Sequence, residues 1–144
     1  MKEITKLFVN KYRIKKIGYD FMGYTFVSPT DLSYHHLIIE KVKGGEESLE
    51  NGCVLVRKTA HDYIHIIEKF DRDIFDKITK EIIIEKEYGI NINSIEIIND
   101  LLLFFEEKHK DDTFKGGSLI VRDCYKRRIL TRDSEFENRY SNIA

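Results

Sequence analysis

The sequence predicts an α+β fold in which a small β-hairpin and one helix pack with several additional helices. Two short runs rich in β-branched, aromatic and apolar residues, 32–39 and 53–56, are separated by a polar, glycine-containing loop. Farther along, apolar residues recur at helical spacing between capping residues. With 144 residues and 42% hydrophobic content, the chain is expected to form a single domain over 1–144 with its own core.

The elements before the hairpin are predicted from apolar spacing and from glycine and proline. Residues 2–17 predict a helix, because apolar side chains recur between lysines. Gly18 and Gly23 break that pattern, and the aromatic stretch 19–26 predicts a short strand or an aromatic-anchored loop. Pro29, the single proline, predicts a turn before the hairpin.

The elements after the hairpin are predicted to be helices with polar residues at their starts. Thr59 can cap a first helix, and Asp71 predicts the start of a second that ends near Gly89. Asn93 predicts the start of a third helix. Residues 118–144 carry no pattern that assigns them a structure.

Composition excludes several classes of protein. The 24 basic and 25 acidic residues give a net charge of -1, unlike a strongly basic nonspecific nucleic-acid binder. Basic residues cluster near both ends, as local patches or as solvated helix faces. No apolar run approaches ~18 residues, and the first residues lack the apolar stretch of a signal peptide. Cys53 and Cys124 form no paired motif, which favours two thiols in a reducing cytoplasm.

Four of the five histidines lie within one window of about thirty residues. His35 and His36 are consecutive on the predicted strand, so their side chains point to opposite faces. His61 and His65 are one turn apart on the predicted helix, so their rings share a side. With His35 they can offer three nitrogens to one divalent ion, and His36 remains free as a general base near neutral pH. That set suffices for a one-metal hydrolase.

Three further polar residues accompany the histidines. The amide of Asn51 can bond loop backbone across the hairpin and so orient His36, although Asn-Gly is also an ordinary turn signal. Arg57 and Lys58 precede the helix and can contact phosphate or simply solvate a strand end. His109, in a charged helix end, is predicted to have no special role.

The order and spacing of these residues resemble the HNH endonuclease family. Asn51 follows His36 by fifteen residues, and the helical pair is four residues apart, as in nuclease toxins of the colicin branch. The similarity covers about residues 30–70. The residues that carry it, in chain order, are His35, His36, Asn51, His61 and His65.

The resemblance implies a ββα-metal fold over residues 30–70, supported by helices over residues 71–110. It places His35 and His61 at the metal-ligand positions, with His65 at the additional helix ligand of some branches. It implies that His36 is the general base and that Asn51 tethers the loop. Members of the family dock this unit on a DNA backbone and cut phosphodiester bonds.

The sequence therefore predicts a metal-dependent endonuclease that hydrolyses phosphodiester bonds in DNA, with one divalent ion held by three histidines. The ion could be Mg, Mn, Zn or Ni, and double-stranded DNA is expected over RNA. An alternative is a non-catalytic, zinc-stabilised nucleic-acid-binding module, in which the metal site has no open position. A second alternative is an interaction protein without metal, in which the histidine rings point apart. Oligomeric state has no signal in the sequence.

Overall fold

The computed structural model describes residues 1–16 and 18–111, so the segment 118–144, for which no structure was predicted, and Cys124 lie outside the described part. This part contains four helices and two small antiparallel two-stranded sheets, which confirms the predicted α+β fold. The elements, in chain order, are α1 (Glu3–Lys11), β1 (Gly18–Tyr19), β2 (Thr25–Phe26), β3 (Leu32–His36), β4 (Gly52–Val56), α2 (Ala60–Phe70), α3 (Arg72–Tyr88) and α4 (Ile92–Lys108).

The hairpin of β3 and β4 forms the centre of the site region. Its register pairs Ser33 with Leu55 and His36 with Gly52. The ring of Tyr34 packs so closely over Gly52 that a side chain at this position would collide with it. Glycine is therefore required opposite the end of β3.

Strand β3 is shorter than the predicted run 32–39. The carbonyl of Asn51 accepts the amides of Leu37 at 2.7 Å and Ile38 at 3.2 Å, and its side chain binds Ile39. Because one residue satisfies these backbone groups, the paired ladder ends at His36 and the chain turns into the loop.

The first helix is also shorter than the predicted 2–17. It ends at Lys11, and Arg13 adopts a left-handed backbone conformation with φ of 51°. A residue in that conformation cannot continue a right-handed helix. The apolar spacing alone could not reveal this stop, since no glycine or proline marks it.

Helices α2, α3 and α4 follow in immediate succession. Asp71 caps α3 as predicted, its carboxylate accepting the Ile74 amide at 3.3 Å. The last helix begins after Asn91 rather than at Asn93, because the Asn91 side chain accepts the Ser94 amide at 2.9 Å. Within the described residues, no helix is long and apolar enough to cross a membrane.

One apolar core joins α1, the β3–β4 hairpin and helices α2 to α4. Cys53 is fully buried in it, as expected for a small hydrophobic thiol. The largest side chains with no exposed surface anchor each part of the chain to it. They include Phe8, Phe21, Tyr24, Leu55, Tyr63, Ile67, Ile78 and Ile82.

A buried carboxylate ties the start of the chain to β4. Asp20 accepts the amides of Met22 and Tyr24 at 2.8 and 2.9 Å, and the Val56 amide at 2.8 Å. These bonds hold the turn between β1 and β2 against the end of β4, which immediately precedes the helix that carries two of the histidines.

A second carboxylate links α3 to α4. Asp71 accepts Lys108 Nζ at 2.9 Å and contacts His109 Nε2 at 2.8 Å. The prediction that His109 has no special role is therefore wrong, since this ring closes the bundle at the α3 N-terminus. Its ring also lies 4.7 Å from that of Phe105.

Candidate metal centre

Three histidines from two adjacent elements converge on one point. His35 lies on the face of β3 toward α2, and His61 and His65 lie one turn apart in α2. Ring centroids are 5.3 Å apart for His35 and His61, 5.4 Å for His35 and His65, and 4.7 Å for His61 and His65. One ring nitrogen from each residue lies within 4.8 Å of the others.

The three imidazoles differ in exposure. His35 is only 2% exposed, and both of its ring nitrogens lack a hydrogen-bond partner among the described residues. His61 is half-buried, whereas the side chain of His65 is 54% exposed. The cluster therefore runs from the interior of the protein to the solvent, which leaves one side of a bound ion accessible.

Burial and mutual repulsion keep two of these rings neutral. Burial, followed by the charges of His61 and His65, lowers the pKa of His35 to about 3. Burial, followed by the charges of His65 and His36, lowers the pKa of His61 to about 4. Metal binding requires the neutral imidazole, so both residues are ready to bind an ion at neutral pH without losing a proton.

The residues fit a divalent ion on two observations. An unpartnered, buried imidazole such as His35 carries a desolvation cost that an ion would offset. Three nitrogens within 4.8 Å can also reach ligand distances of ~2.0–2.1 Å with small side-chain rotations, and His65 has the space to make them.

Two polar side chains that the sequence reasoning missed support the helix-borne histidines. His61 Nδ1 lies 2.7 Å from Ser33 Oγ, and His65 Nδ1 lies 3.4 Å from Glu68 Oε1. Ser33 is two residues before His35 on the same strand face, and Glu68 is one helical turn after His65. These two spacings are the sequence signals from which Ser33 and Glu68 could have been identified as neighbours of the histidines. Both contacts use Nδ1, which leaves the Nε2 atom of each ring outside these two contacts.

His36 lies on the other face of β3 from His35, as the strand alternation predicts. Its ring meets the ring of Tyr34 edge-to-face, with centroids 4.9 Å apart. The Tyr34 hydroxyl in turn donates to the Ser48 carbonyl at 2.8 Å. His36 Nε2 has no hydrogen-bond partner among the described residues, and the residue borders the same cavity as the three converging histidines.

Asn51 holds the loop that follows His36. Its amide oxygen accepts the Ile39 amide at 2.6 Å, and its amide nitrogen donates to the carbonyls of Ile39 and Glu46, both at 2.9 Å. The side chain thus binds both halves of the loop between β3 and β4. It does not itself border the histidine cavity.

The cavity over the histidines has a volume of about 780 Å³. Its charged borders are mixed, with three basic and three acidic side chains among the described residues. These are Lys2, Lys41, Arg57, Glu40, Glu47 and Glu68.

The two basic residues proposed to contact nucleic acid are placed differently. Arg57 borders the histidine cavity, where one guanidinium nitrogen donates to the Thr30 carbonyl at 3.0 Å. Lys58 has a left-handed backbone with φ of 63° and borders a separate depression beside Val27. Only Arg57 is therefore next to the histidine cluster.

Comparison with known proteins adds no assignment. No protein-family model, no curated protein and no solved structure matches the chain. The site itself is therefore the basis for the proposed function.

Proposed function

We propose that the chain is a metal-dependent endonuclease of the HNH type that hydrolyses phosphodiester bonds in DNA. The observation that carries the proposal is the convergence of His35, His61 and His65, with the unpartnered His36 beside the same cavity. The ordered set of histidines and Asn51 resembles that family, and an antiparallel hairpin followed by a helix carries these residues.

The three histidines would hold one divalent ion, chosen from Mg, Mn, Zn and Ni. Such an ion would polarise the phosphoryl oxygen and stabilise the leaving alkoxide. Uncharged imidazole nitrogens are better ligands for Zn or Ni than for Mg, which prefers oxygen. Zn is therefore the first ion to supply in an assay.

His36 would act as the general base. Its Nε2 is buried and has no hydrogen-bond partner among the described residues, so no described protein group would compete for this nitrogen when it takes a proton from an attacking water. Edge-to-face packing on Tyr34 would hold the ring in place. Asn51 would fix the loop after His36, and thereby the direction in which β3 delivers this ring.

The proposed substrate is double-stranded DNA, as the family resemblance implies, and RNA is the competing substrate to test. Arg57 and Lys41 border the cavity and supply positive charge for a phosphate backbone. Lys58, farther from the cavity, would contact a neighbouring phosphate. The proposal also includes a location in a reducing cytoplasm, as expected from the cysteines.

The exposure of His65 favours a catalytic centre over a zinc-stabilised binding module. A structural zinc site is usually closed by four protein ligands, whereas a catalytic site keeps one position for water or substrate. The candidate group in the described residues has three members, and the side chain of one is 54% exposed. An ion held there would keep an open side.

Plasmid nicking tests the proposal directly. The wild type is expected to nick supercoiled DNA with a divalent ion supplied, and EDTA is expected to stop it. His36→Ala should bind metal normally but lose roughly 10²–10⁴-fold in rate, the usual contribution of a general base. His61→Ala should lose both metal binding and cutting.

The control for this assay is Lys77→Ala, which removes an exposed side chain whose ion pair in the described part of the chain is with Asp73, along α3, at 3.1 Å. It should cut like the wild type. Full cutting by either histidine variant, or no cutting of DNA by the wild type with any of the four ions, would contradict the proposal. If the wild type cut RNA but not DNA, RNA would take the place of DNA as the proposed substrate.

A further inference from the structure

We infer that Ser33 is a positioning residue that holds His61 in the tautomer whose Nε2 can bind a metal ion. This inference rests on the proposed metal centre and adds to it a residue outside the ligand set. Imidazole has two nitrogens, and in its neutral form only one carries a lone pair able to bind metal. The group that binds the other nitrogen therefore determines which nitrogen carries the lone pair and how the ring is oriented.

The contact between the two residues is short and directed. Ser33 Oγ lies 2.7 Å from His61 Nδ1, the shortest contact made by either helix-borne histidine. The same hydroxyl lies within reach of the Leu55 carbonyl at 3.4 Å, its partner in the hairpin register. A hydroxyl that donates its single hydrogen to Leu55 has lone pairs left to accept Nδ1–H from His61.

That direction of hydrogen bonding is the one a metal centre needs. With Nδ1 protonated, Nε2 of His61 carries the lone pair and is free to bind. If Ser33 instead donated to Nδ1, the hydrogen of the ring would sit on Nε2 and block it. The Leu55 carbonyl, which can only accept, favours the first arrangement because it gives the hydroxyl hydrogen a partner.

Neither of the other two histidines has a comparable support. His65 contacts Glu68 at the longer distance of 3.4 Å, and its side chain is 54% exposed, so its ring is less constrained. His35 has no hydrogen-bond partner among the described residues and is held by packing, which includes its ring contacts with His61 and His65. In the described part of the chain, Ser33 is thus the one hydroxyl that contacts the Nδ1 atom of a candidate ligand and can hold its ring in place.

The experiment measures metal binding and tautomer state in addition to cutting. Zn²⁺ and Co²⁺ affinities are compared for the wild type, Ser33→Ala and Ser33→Thr. Loss of an outer hydrogen bond to a metal ligand typically weakens binding 10–100-fold, so Ser33→Ala should fall in this range. Ser33→Thr keeps a hydroxyl at the same position and should restore affinity to near the wild-type value.

A matched control is Ser28→Ala, which removes an exposed hydroxyl that bonds Thr30 and contacts none of the histidines. Its metal affinity should equal that of the wild type. Long-range ¹H–¹⁵N spectra of the metal-free wild type should give the Nδ1–H tautomer for His61. Ser33→Ala should shift this ring toward the other tautomer, a change that a merely structural role would not produce.

The outcomes separate this inference from the proposed function. If the wild type binds Zn²⁺ and Ser33→Ala binds equally well, the role of Ser33 is overturned and the metal centre stands. An Nε2–H tautomer for His61 in the metal-free wild type would overturn it as well. If the wild type binds neither ion, the metal centre itself fails, and the inference fails with it.

Discussion

The hairpin–helix site and the α3–α4 pair each enclose a histidine, and the two rings have opposite surroundings. His35 is 2% exposed, and both nitrogens lack a partner among the described residues. His109, whose side chain is 13% exposed, contacts the carboxylate of Asp71 at 2.8 Å, and the same carboxylate binds Lys108 and the Ile74 amide. The buried ring of His35 therefore carries a desolvation cost that no described hydrogen bond offsets, whereas the ring of His109 has a carboxylate partner.

This is the difference expected between a group that binds a ligand and a group that stabilises the fold. A buried polar atom without a partner costs free energy, so a position that keeps one is a candidate for function. A carboxylate at a helix N-terminus that also contacts a lysine and an imidazole stabilises the fold. Substitutions in the two regions should therefore have opposite effects on stability and on metal-dependent chemistry.

The largest effect on chemistry is expected from His35→Leu. Removal of this proposed ligand should abolish Zn²⁺ binding and reduce DNA cutting to background. In EDTA, however, the free energy of unfolding should stay level or rise, because an unpartnered polar ring is replaced by an apolar side chain. Zinc titration and urea unfolding in EDTA measure the two effects separately.

If His35→Leu unfolded readily in EDTA, His35 would be a structural residue, and the contrast drawn between His35 and His109 would not hold. Retention of wild-type zinc affinity would equally remove it from the metal centre. Leu55→Ala, which leaves a cavity in the same hairpin, gives the stability loss expected of an ordinary core residue, about 2–5 kcal/mol.

The next effect is expected from Asn51→Ala. The variant loses three hydrogen bonds that hold the loop at Ile39 and Glu46, so the loop after His36 should become less ordered. We expect slower DNA cutting with zinc affinity close to that of the wild type, because His35 precedes the freed segment. A parallel fall in zinc affinity and cutting would mean that Asn51 supports the whole hairpin rather than His36 alone.

Asp71→Ala should lower stability and spare the site. Loss of the cap and of the contacts with Lys108 and His109 should reduce the free energy of unfolding at pH 7 by about 1–3 kcal/mol. Asp73→Ala, at an exposed position on the first turn of α3, should change it by less than about 0.5 kcal/mol. Cutting per folded molecule should be unchanged in both, and a loss in Asp71→Ala would show that the two regions are coupled.

The same carboxylate gives a pH signature. Burial raises the pKa of Asp71, but hydrogen bonds from His109, Lys108 and the Ile74 amide outweigh it and lower the pKa to about 2. The unfolded value is near 4, so the stabilisation is complete above pH ~4 and is lost as the pH falls toward 2. The stability gap between wild type and Asp71→Ala should narrow over this range, and a constant gap would contradict the assignment.

The smallest effect is expected from the basic residues. Arg57→Ala should weaken DNA binding. It should also reduce by about one the slope of the logarithm of the DNA-binding constant against the logarithm of salt concentration, as for one lost phosphate contact. Lys58→Ala, beside a separate depression, should have a weaker effect. Equal effects would place the DNA across both depressions.

The sequence was sufficient to predict the hairpin, the helix that follows it and the grouping of four histidines. Residue alternation and helical spacing are local rules, and they correctly place His35 toward His61 and His65 and His36 on the other face of β3. They also identify Asp71 as the cap of α3.

The contacts that depend on tertiary packing could not be predicted. The bond of Ser33 to His61 spans 28 residues, and that of Asp71 to His109 spans 38. Neither sequence spacing nor propensity reports which face of one element meets another. The early end of α1 and the early end of β3 likewise result from local backbone geometry and from Asn51, not from a change in apolar periodicity.

X-ray absorption at the zinc edge, with the wild-type chain loaded with Zn²⁺, tests the central claim most directly. We expect one ion per chain, with three imidazole nitrogens and one further light atom at ~2.0–2.1 Å. His61→Ala should lose one of those imidazoles or fail to retain the ion. A sulfur ligand at ~2.3 Å, or a bound ion with no imidazole shell, would contradict the claim that these three histidines form a metal centre.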